Sequence, residues 1–186
     1  MTSRGGDPGV QAFVAVARQY RAAVDTRDAD DPAAFLCGVH RLLAGLCYAA
    51  EGLPRMDEVE LPPGSEGLVT RADADGLVEV WRPLAEALEA ELDEDAYYWE
   101  VSDPYGPGPA EPADGSLADD LANVYMDLDD GLRRWDTADD ALRRTIAWEW
   151  RFSYESHWGR HAIGAMGAIH ALLYVHRLGE EDEDDA

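Results

Sequence analysis

The chain has 186 residues, 46% of them hydrophobic, and this length and composition fit a single globular domain with its own core. It carries 39 acidic and 15 basic residues, a formal charge of −24, which would repel the backbone of a nucleic acid. Lysine is absent, so Schiff-base chemistry, a pyridoxal-phosphate lysine and a phosphate-binding Gly-Lys loop are excluded.

Two aspartate–proline pairs predict where the first two helices begin. Asp7-Pro8 and Asp31-Pro32 each place an N-cap residue before a proline at the first helical position. Apolar residues then recur at helical spacing in both segments, and the second stripe ends at Glu51.

The middle of the chain combines a third helix with two connections. A polar connection covers residues 52–72, and the helix after it contains Pro83, which predicts a kink because proline removes a backbone donor. Residues 97–101 are short and aromatic and could be extended. The Pro/Gly-rich stretch from Asp103 to Gly115 predicts a long surface loop.

The C-terminal half predicts the remaining helices. Ser116 is expected to cap the fourth helix and Thr137 to open the fifth. A last apolar stripe runs from Ile163 to Tyr174. The predicted fold is therefore all-α, a bundle of five to six helices with a long Pro/Gly-rich loop before the fourth helix.

Residues 146–156 are open to two interpretations. Aromatic and polar side chains alternate there, which is a strand-like period of two. The capped start at Thr137 and the lack of an evident hairpin partner favour a helix instead. As a helix, the segment would present aromatic side chains on two sides and would be a central, buried element.

The domain organisation predicted from composition is one helical domain over residues 1–178 and a disordered acidic tail over 179–186. The tail carries six negative charges, and removing them still leaves −18 on the rest of the chain. No secretory signal pattern opens the sequence and no uninterrupted apolar run reaches 18 residues. We therefore expect a cytoplasmic protein that does not enter a membrane.

A set of spaced motifs lies between residues 116 and 174. It comprises the run from Ser116 to Leu121, Asp127-Leu128 followed by Gly131, and an aromatic block that ends in His157-Trp158-Gly159; Asp103-Pro104-Tyr105 precedes it. In these motifs the chain resembles the bacterial family of domains of unknown function numbered 5063. The activity of that family is unknown, so the resemblance implies no substrate and no cofactor.

A histidine pair is the candidate metal or ligand site. His157 and His161 stand four residues apart, so on a helix both imidazoles share one face and can bind one metal ion. A third ligand would come from a neighbouring helix, with Asp127 as the best candidate and Glu149 and Glu155 as others. The alternative is a hydrogen-bonded structural pair, and the sequence predicts no cofactor unless the pair holds a divalent metal.

The aromatic residues of the C-terminal half can fill a core or line a ligand pocket. They are Trp148, Trp150, Phe152, Tyr154 and Trp158. His170 lies within an apolar stripe and is interpreted as a core histidine. The sequence contains no Gly-x-Ser-x-Gly elbow and no dinucleotide fingerprint, so the catalytic residues of any reaction are unknown.

The charge and the lack of catalytic motifs favour a non-enzymatic protein-interaction module, immunity-like or adaptor-like, that binds a basic protein partner. The alternative is a metal-binding protein or a metal-dependent enzyme that uses the His-x-x-x-His pair. Acidity can also serve solubility or a salt-rich cytoplasm, in which case it carries no information about partners. The sequence predicts no oligomeric state.

Overall fold

A computed structural model describes residues 7–55, 74–101, 105 and 111–176 of the chain. The described part contains six α-helices and a two-stranded antiparallel sheet, so the expected all-α architecture is confirmed with a small sheet added. The elements are α1 Pro8–Asp25, α2 Pro32–Ala50, α3 Ala74–Leu92, β1 Tyr97–Val101, β2 Pro112–Ser116, α4 Leu117–Trp135, α5 Asp140–Ser153 and α6 Gly159–His170.

The helices begin at side chains that accept hydrogen bonds from their first turns. At the start of α1, the Asp7 side chain accepts a hydrogen bond from the backbone N–H of Gly9. At the start of α2, the Asp31 side chain accepts one from the backbone N–H of Ala34. Ser116 caps α4, as predicted. The predicted start of α5 was wrong by two residues: Asp139, and not Thr137, accepts the capping bond. Aspartate binds the free N–H groups of a helix N-terminus more strongly than threonine does.

The hairpin of β1 and β2 corrects one prediction and bears out another. Residues 97–101 are extended, as the sequence allowed, but their partner Pro112–Ser116 lies at the end of the stretch predicted to be a loop. Tyr98 pairs with Gly115 across the two strands. The ring of Tyr98 covers the position that a side chain would take on Gly115. Glycine at this position therefore allows the Tyr98 ring to pack against the paired strand.

The aromatic segment that the sequence left open is helical. α5 reaches Ser153 and continues through a π-helical turn, Tyr154–Trp158, into α6. Three of the five aromatic side chains singled out above are fully buried: Trp148, Trp150 and Trp158. Trp150 and Trp158 belong to the hydrophobic core, whereas Trp148 stacks on Phe152. Tyr154 is partly buried against this core, whereas Phe152 is about half exposed and does not belong to it.

The core lies where α1, α2, α4 and the α5–α6 helix meet. The indole of Trp150 packs at 5.1 Å from the ring of Phe13 and at 5.4 Å from the ring of Trp135. It approaches α4 at Gly131, where an added methyl group would overlap the indole. The indole of Trp150 therefore fits at the centre of the bundle because residue 131 has no side chain.

Helix α2 also meets a membrane criterion by length and composition. Its mean hydropathy is 1.5, and 28% of the most apolar window is buried. One face of α2, including Leu36, Val39 and Leu43, is buried in the core described above. Core helices of globular proteins pass the same test, so the criterion does not decide whether this helix meets a membrane.

Two predicted segments, the polar connection at 52–72 and the acidic tail at 179–186, lie mostly and wholly, respectively, outside the described residues. Pro83 lies inside α3, as the sequence predicts.

Candidate functional site

Two aspartate–histidine pairs join α4 to the α5–α6 helix. The Nδ1 atom of His157 lies 2.6 Å from Oδ2 of Asp127, and the Nδ1 atom of His161 lies 2.7 Å from Oδ1 of Asp120. The earlier aspartate pairs with the later histidine, so the two helices run antiparallel here. Because Asp120 and Asp127 are seven residues apart on α4, about two turns, both face the histidines.

The π-helical turn positions one of these histidines. His157 lies inside the turn Tyr154–Trp158, and His161 follows one turn later in α6. The turn is closed by Gly159, where a Cβ atom would overlap the carbonyl oxygen of Tyr154. A π turn adds a residue to the helix and shifts the direction of the side chains within it, a device that recurs at functional sites.

The hairpin contributes a hydroxyl group to the same cluster. Tyr98 donates a 2.6 Å hydrogen bond to Oδ2 of Asp120, the oxygen that His161 leaves free. The hydroxyl passes close to Gly164 of α6, where an added Cβ would lie 2.5 Å from it. Burial, and then the bond to the Asp120 carboxylate, raise the pKa of Tyr98 well above its usual value, so the phenol stays protonated and acts as a donor.

Asp119 brings a second carboxylate beside Asp120. Its Oδ1 accepts a 3.1 Å hydrogen bond from the indole nitrogen of Trp81 on α3. Ligand atoms of Asp119, Asp120 and His161 all lie within 4.8 Å of one another. The side chains of His161 and Asp120 are only 13% and 10% exposed, so this group is sheltered from water. We call Asp119, Asp120, Asp127, His157 and His161 the histidine–aspartate cluster.

The spacing of the two imidazoles matches a shared metal ion. Their ring centroids are 4.9 Å apart. Two imidazoles bound to one tetrahedral ion have centroids roughly 5 Å apart, because each metal–nitrogen bond is about 2.0–2.1 Å. Carboxylates hydrogen-bonded to the Nδ1 atom of a histidine are also a common feature of metal sites, where they orient the ring and raise its basicity.

The structure brings together the three residues of the predicted site and separates them from the other candidates. Asp127, the best candidate for the third ligand, contacts His157. Glu149 instead lies 2.6 Å from Arg134, and Glu155 lies 2.7 Å from Arg151, so both candidate carboxylates belong to ion pairs. The cluster retains only Asp127 of the three proposed third ligands.

Sequence reasoning missed three members or neighbours of the cluster. Asp119 and Asp120 were treated only as part of a motif, although the seven-residue spacing of Asp120 and Asp127 on one helix face is a usable signal. No local pattern pointed to Tyr98, because its contact depends on how the hairpin packs. The interpretation of His170 as a core residue was wrong: it is exposed, with its ring 6.1 Å from that of His40.

The fold and the cluster define a mostly helical domain in which two helices and a hairpin surround paired histidines and aspartates. A family model described as "Domain of unknown function (DUF5063)" matches residues 6–175, and the chain belongs to this family. The match includes the N-terminal helices as well as the motifs between residues 116 and 174.

A solved structure shares the fold. It is the crystal structure of protein BF1032 from Bacteroides fragilis, similar at a TM-score of 0.68 with 22% sequence identity, over 90% of this chain and 94% of that one. At this identity the similarity shows the fold alone. No curated protein matches the chain.

Proposed function

We propose that this domain binds a divalent transition-metal ion at the histidine–aspartate cluster. The observation that carries the proposal is the convergence of Asp119, Asp120 and His161, whose ligand atoms lie within 4.8 Å of one another at a sheltered position. A second histidine, His157, lies at the ring spacing of a shared ion. His157 is not one of the three residues whose ligand atoms converge, so its imidazole would have to turn toward the ion to complete a four-coordinate site with two nitrogen and two oxygen ligands.

Electrostatics supports the same proposal. Asp119 and Asp120 are adjacent in sequence and converge on one place, where their like charges repel each other and a bound cation would relieve the repulsion. A divalent ion would neutralise both carboxylates and could replace the proton shared by Asp120 and His161. Asp127 would then orient His157 through its Nδ1 atom, 2.6 Å away.

The ligand types narrow the choice of ion. Imidazole together with carboxylate suits zinc, iron and manganese, whereas calcium and magnesium prefer oxygen ligands alone. No cysteine takes part in the described cluster, so soft ions such as Cu(I) are disfavoured. Zn²⁺ is therefore the first ion to test, followed by Fe²⁺ and Mn²⁺.

The test uses untagged protein, stripped with a chelator, loaded with Zn²⁺ and desalted before elemental analysis. We expect about one ion per chain, together with a rise in melting temperature, since an ion that binds only the folded state at about 100 times its Kd adds roughly 2.7 kcal/mol. His161→Asn should abolish both effects. His176→Asn, which alters an exposed histidine outside the cluster, is the matched control and should change neither.

The proposal fails if no loaded ion survives desalting and none changes the melting temperature. It also fails if His161→Asn and His176→Asn lose metal equally, because binding would then be a property of surface histidines. His161→Asn removes a partly buried hydrogen bond, so the folded state of each variant is checked by near-UV circular dichroism before loading.

A second candidate function, a protein-interaction module of the immunity or adaptor type, rests on a different observation. The chain carries −24 in total and −18 without its last acidic run. Such a field accelerates encounter with a basic protein and repels acidic ones. Association that is lost at high salt would support this function, and it is compatible with a bound metal ion.

A further inference from the structure

One strand of the hairpin presents three apolar side chains to solvent. Tyr97, Trp99 and Val101 alternate along β1 and are all exposed, with Trp99 at 74%. The residues between them, Tyr98 and Glu100, are partly buried. Large apolar groups gathered on one face of a strand mark an interaction site more often than the same groups scattered singly.

The stretch of sequence that contains this strand is strongly acidic, although the charge of Arg160 on α6 also acts on Tyr98. Residues 83–132 contain fifteen aspartates and glutamates and no arginine or lysine. Four exposed acidic side chains lie beside or within the hairpin: Asp93 and Glu94 before β1, Glu111 just before β2, and Asp114 in β2 opposite Trp99. None of these four forms an ion pair with any described residue.

Acidic residues of α4, unlike those beside the hairpin, form ion pairs within the protein. In α4, Asp129 and Asp130 each meet an arginine of the same helix, at 2.7 and 2.8 Å. The carboxylates beside the hairpin have no such internal partner among the described residues. Their charge is therefore available to a molecule that approaches the exposed face of β1.

From these observations we infer that the exposed face of β1, Tyr97, Trp99 and Val101, is a docking surface for a basic, arginine-containing segment of another protein. A guanidinium stacks on an indole and hydrogen-bonds to carboxylates at the same time, so Trp99 and the flanking acids together suit arginine. Nucleic acids and anionic membranes are repelled by the same carboxylates. This inference rests on the second candidate function, for which it gives a binding surface, and does not depend on the metal proposal.

The charge complementarity selects the occupant. A second copy of this chain would bring another acidic hairpin to the face and would be repelled at low salt. An extended basic segment would lay alternate side chains on the apolar face, because a strand places every second residue on one side. The affinity for the peptide should therefore fall as the salt concentration rises. It should not fall to zero, because salt does not screen the apolar contacts.

The test measures binding of a labelled synthetic peptide that alternates arginine and leucine, by fluorescence anisotropy at low and at physiological salt. We expect Trp99→Ala to weaken binding about 10-fold or more, the loss typical of a central aromatic anchor. Tyr48→Ala is the matched control, because Tyr48 is an aromatic residue at 87% exposure on α2, and it should leave the affinity unchanged.

Two charge variants complete the design. Glu94→Gln combined with Asp114→Asn should weaken binding and reduce its salt dependence, whereas a peptide that alternates glutamate and leucine should not bind. The inference is overturned if the arginine peptide does not bind at low salt, if Trp99→Ala and Tyr48→Ala have equal effects, or if the glutamate peptide binds as well. Preferential binding to vesicles of anionic lipid would also overturn it.

Discussion

The Nδ1 atom of His161 lies 2.7 Å from Oδ1 of Asp120, although 41 residues separate them along the chain. This contact fixes how α4 and α6 face each other at the histidine–aspartate cluster. Asp120 has a second donor, because the hydroxyl of Tyr98 reaches its other carboxylate oxygen at 2.6 Å. The hairpin and the helix pair are thus joined through one buried carboxylate.

Tyr98→Phe tests the strength of this junction. Removing the hydroxyl leaves Oδ2 of Asp120 without its donor in a sheltered place, and we expect a loss of about 1–2 kcal/mol in the free energy of unfolding. Urea denaturation measures it. Tyr97→Phe is the control on the same strand: its hydroxyl bonds to Glu89 at an exposed position, so this variant should lose clearly less stability than Tyr98→Phe. Equal losses in the two variants would contradict the assigned role of Tyr98.

Gly159→Ala tests the π-helical turn. The new methyl group would overlap the carbonyl oxygen of Tyr154, and backbone cannot move aside as a flexible side chain can. We expect a loss of about 1–3 kcal/mol, the range for overpacked sites, and weaker metal retention because His157 lies within the turn. Thermal unfolding and elemental analysis measure the two effects.

Gly167→Ala is the matched control in the same helix. A Cβ atom there meets nothing within 4 Å, so the substitution should stabilise the helix by up to about 1 kcal/mol. If both alanine variants are equally stable, the close approach of Tyr154 and Gly159 is not a constraint on the fold.

Local signals predicted the parts of this fold that are local in origin. Asp7, Asp31 and Ser116 cap their helices because each capping bond spans two or three residues, and such bonds are readable from sequence. The helical state of residues 146–156 was also predictable, since a capped start outweighed the alternating pattern. Strand β2 was missed because Pro112 and Gly115 are typical of loops, and the segment is a strand through its pairing with β1, where Tyr98 packs over the glycine.

The candidate site was half predictable for the same reason. His157 and His161 share a helix, so their four-residue spacing places them on one face without knowledge of the fold. The choice of Asp120 as the partner of His161 depends on the antiparallel packing of α4 against α6, which no local pattern encodes. The seven-residue spacing of Asp120 and Asp127 becomes informative only when the two helices are known to be neighbours.

Gly131→Ala tests the packing at the centre of the bundle. The added methyl group would overlap the indole of Trp150, which is buried between Phe13 and Trp135. We expect a loss of about 1–3 kcal/mol in unfolding free energy. Gly38→Ala in α2 meets nothing within 4 Å and serves as the control, with a small gain expected. A destabilised Gly38→Ala variant together with an unchanged Gly131→Ala variant would contradict this packing.

Glu149→Gln should change how the stability of the protein depends on pH. Burial raises the pKa of Glu149 above its usual 4.5, although the bond and the charge of Arg134 oppose the shift. The folded state therefore binds more protons than the unfolded state between pH 4.5 and the raised pKa, and this residue's contribution to stability falls as pH rises through that window. Glutamine does not titrate, so the stability of Glu149→Gln relative to the parent protein should increase from pH 4 to pH 7.

Urea unfolding at both pH values measures the change, with the exposed Glu111→Gln as the control for removing one negative charge. A relative stability that decreases over this range would show that Arg134, 2.6 Å away, dominates over burial at this carboxylate.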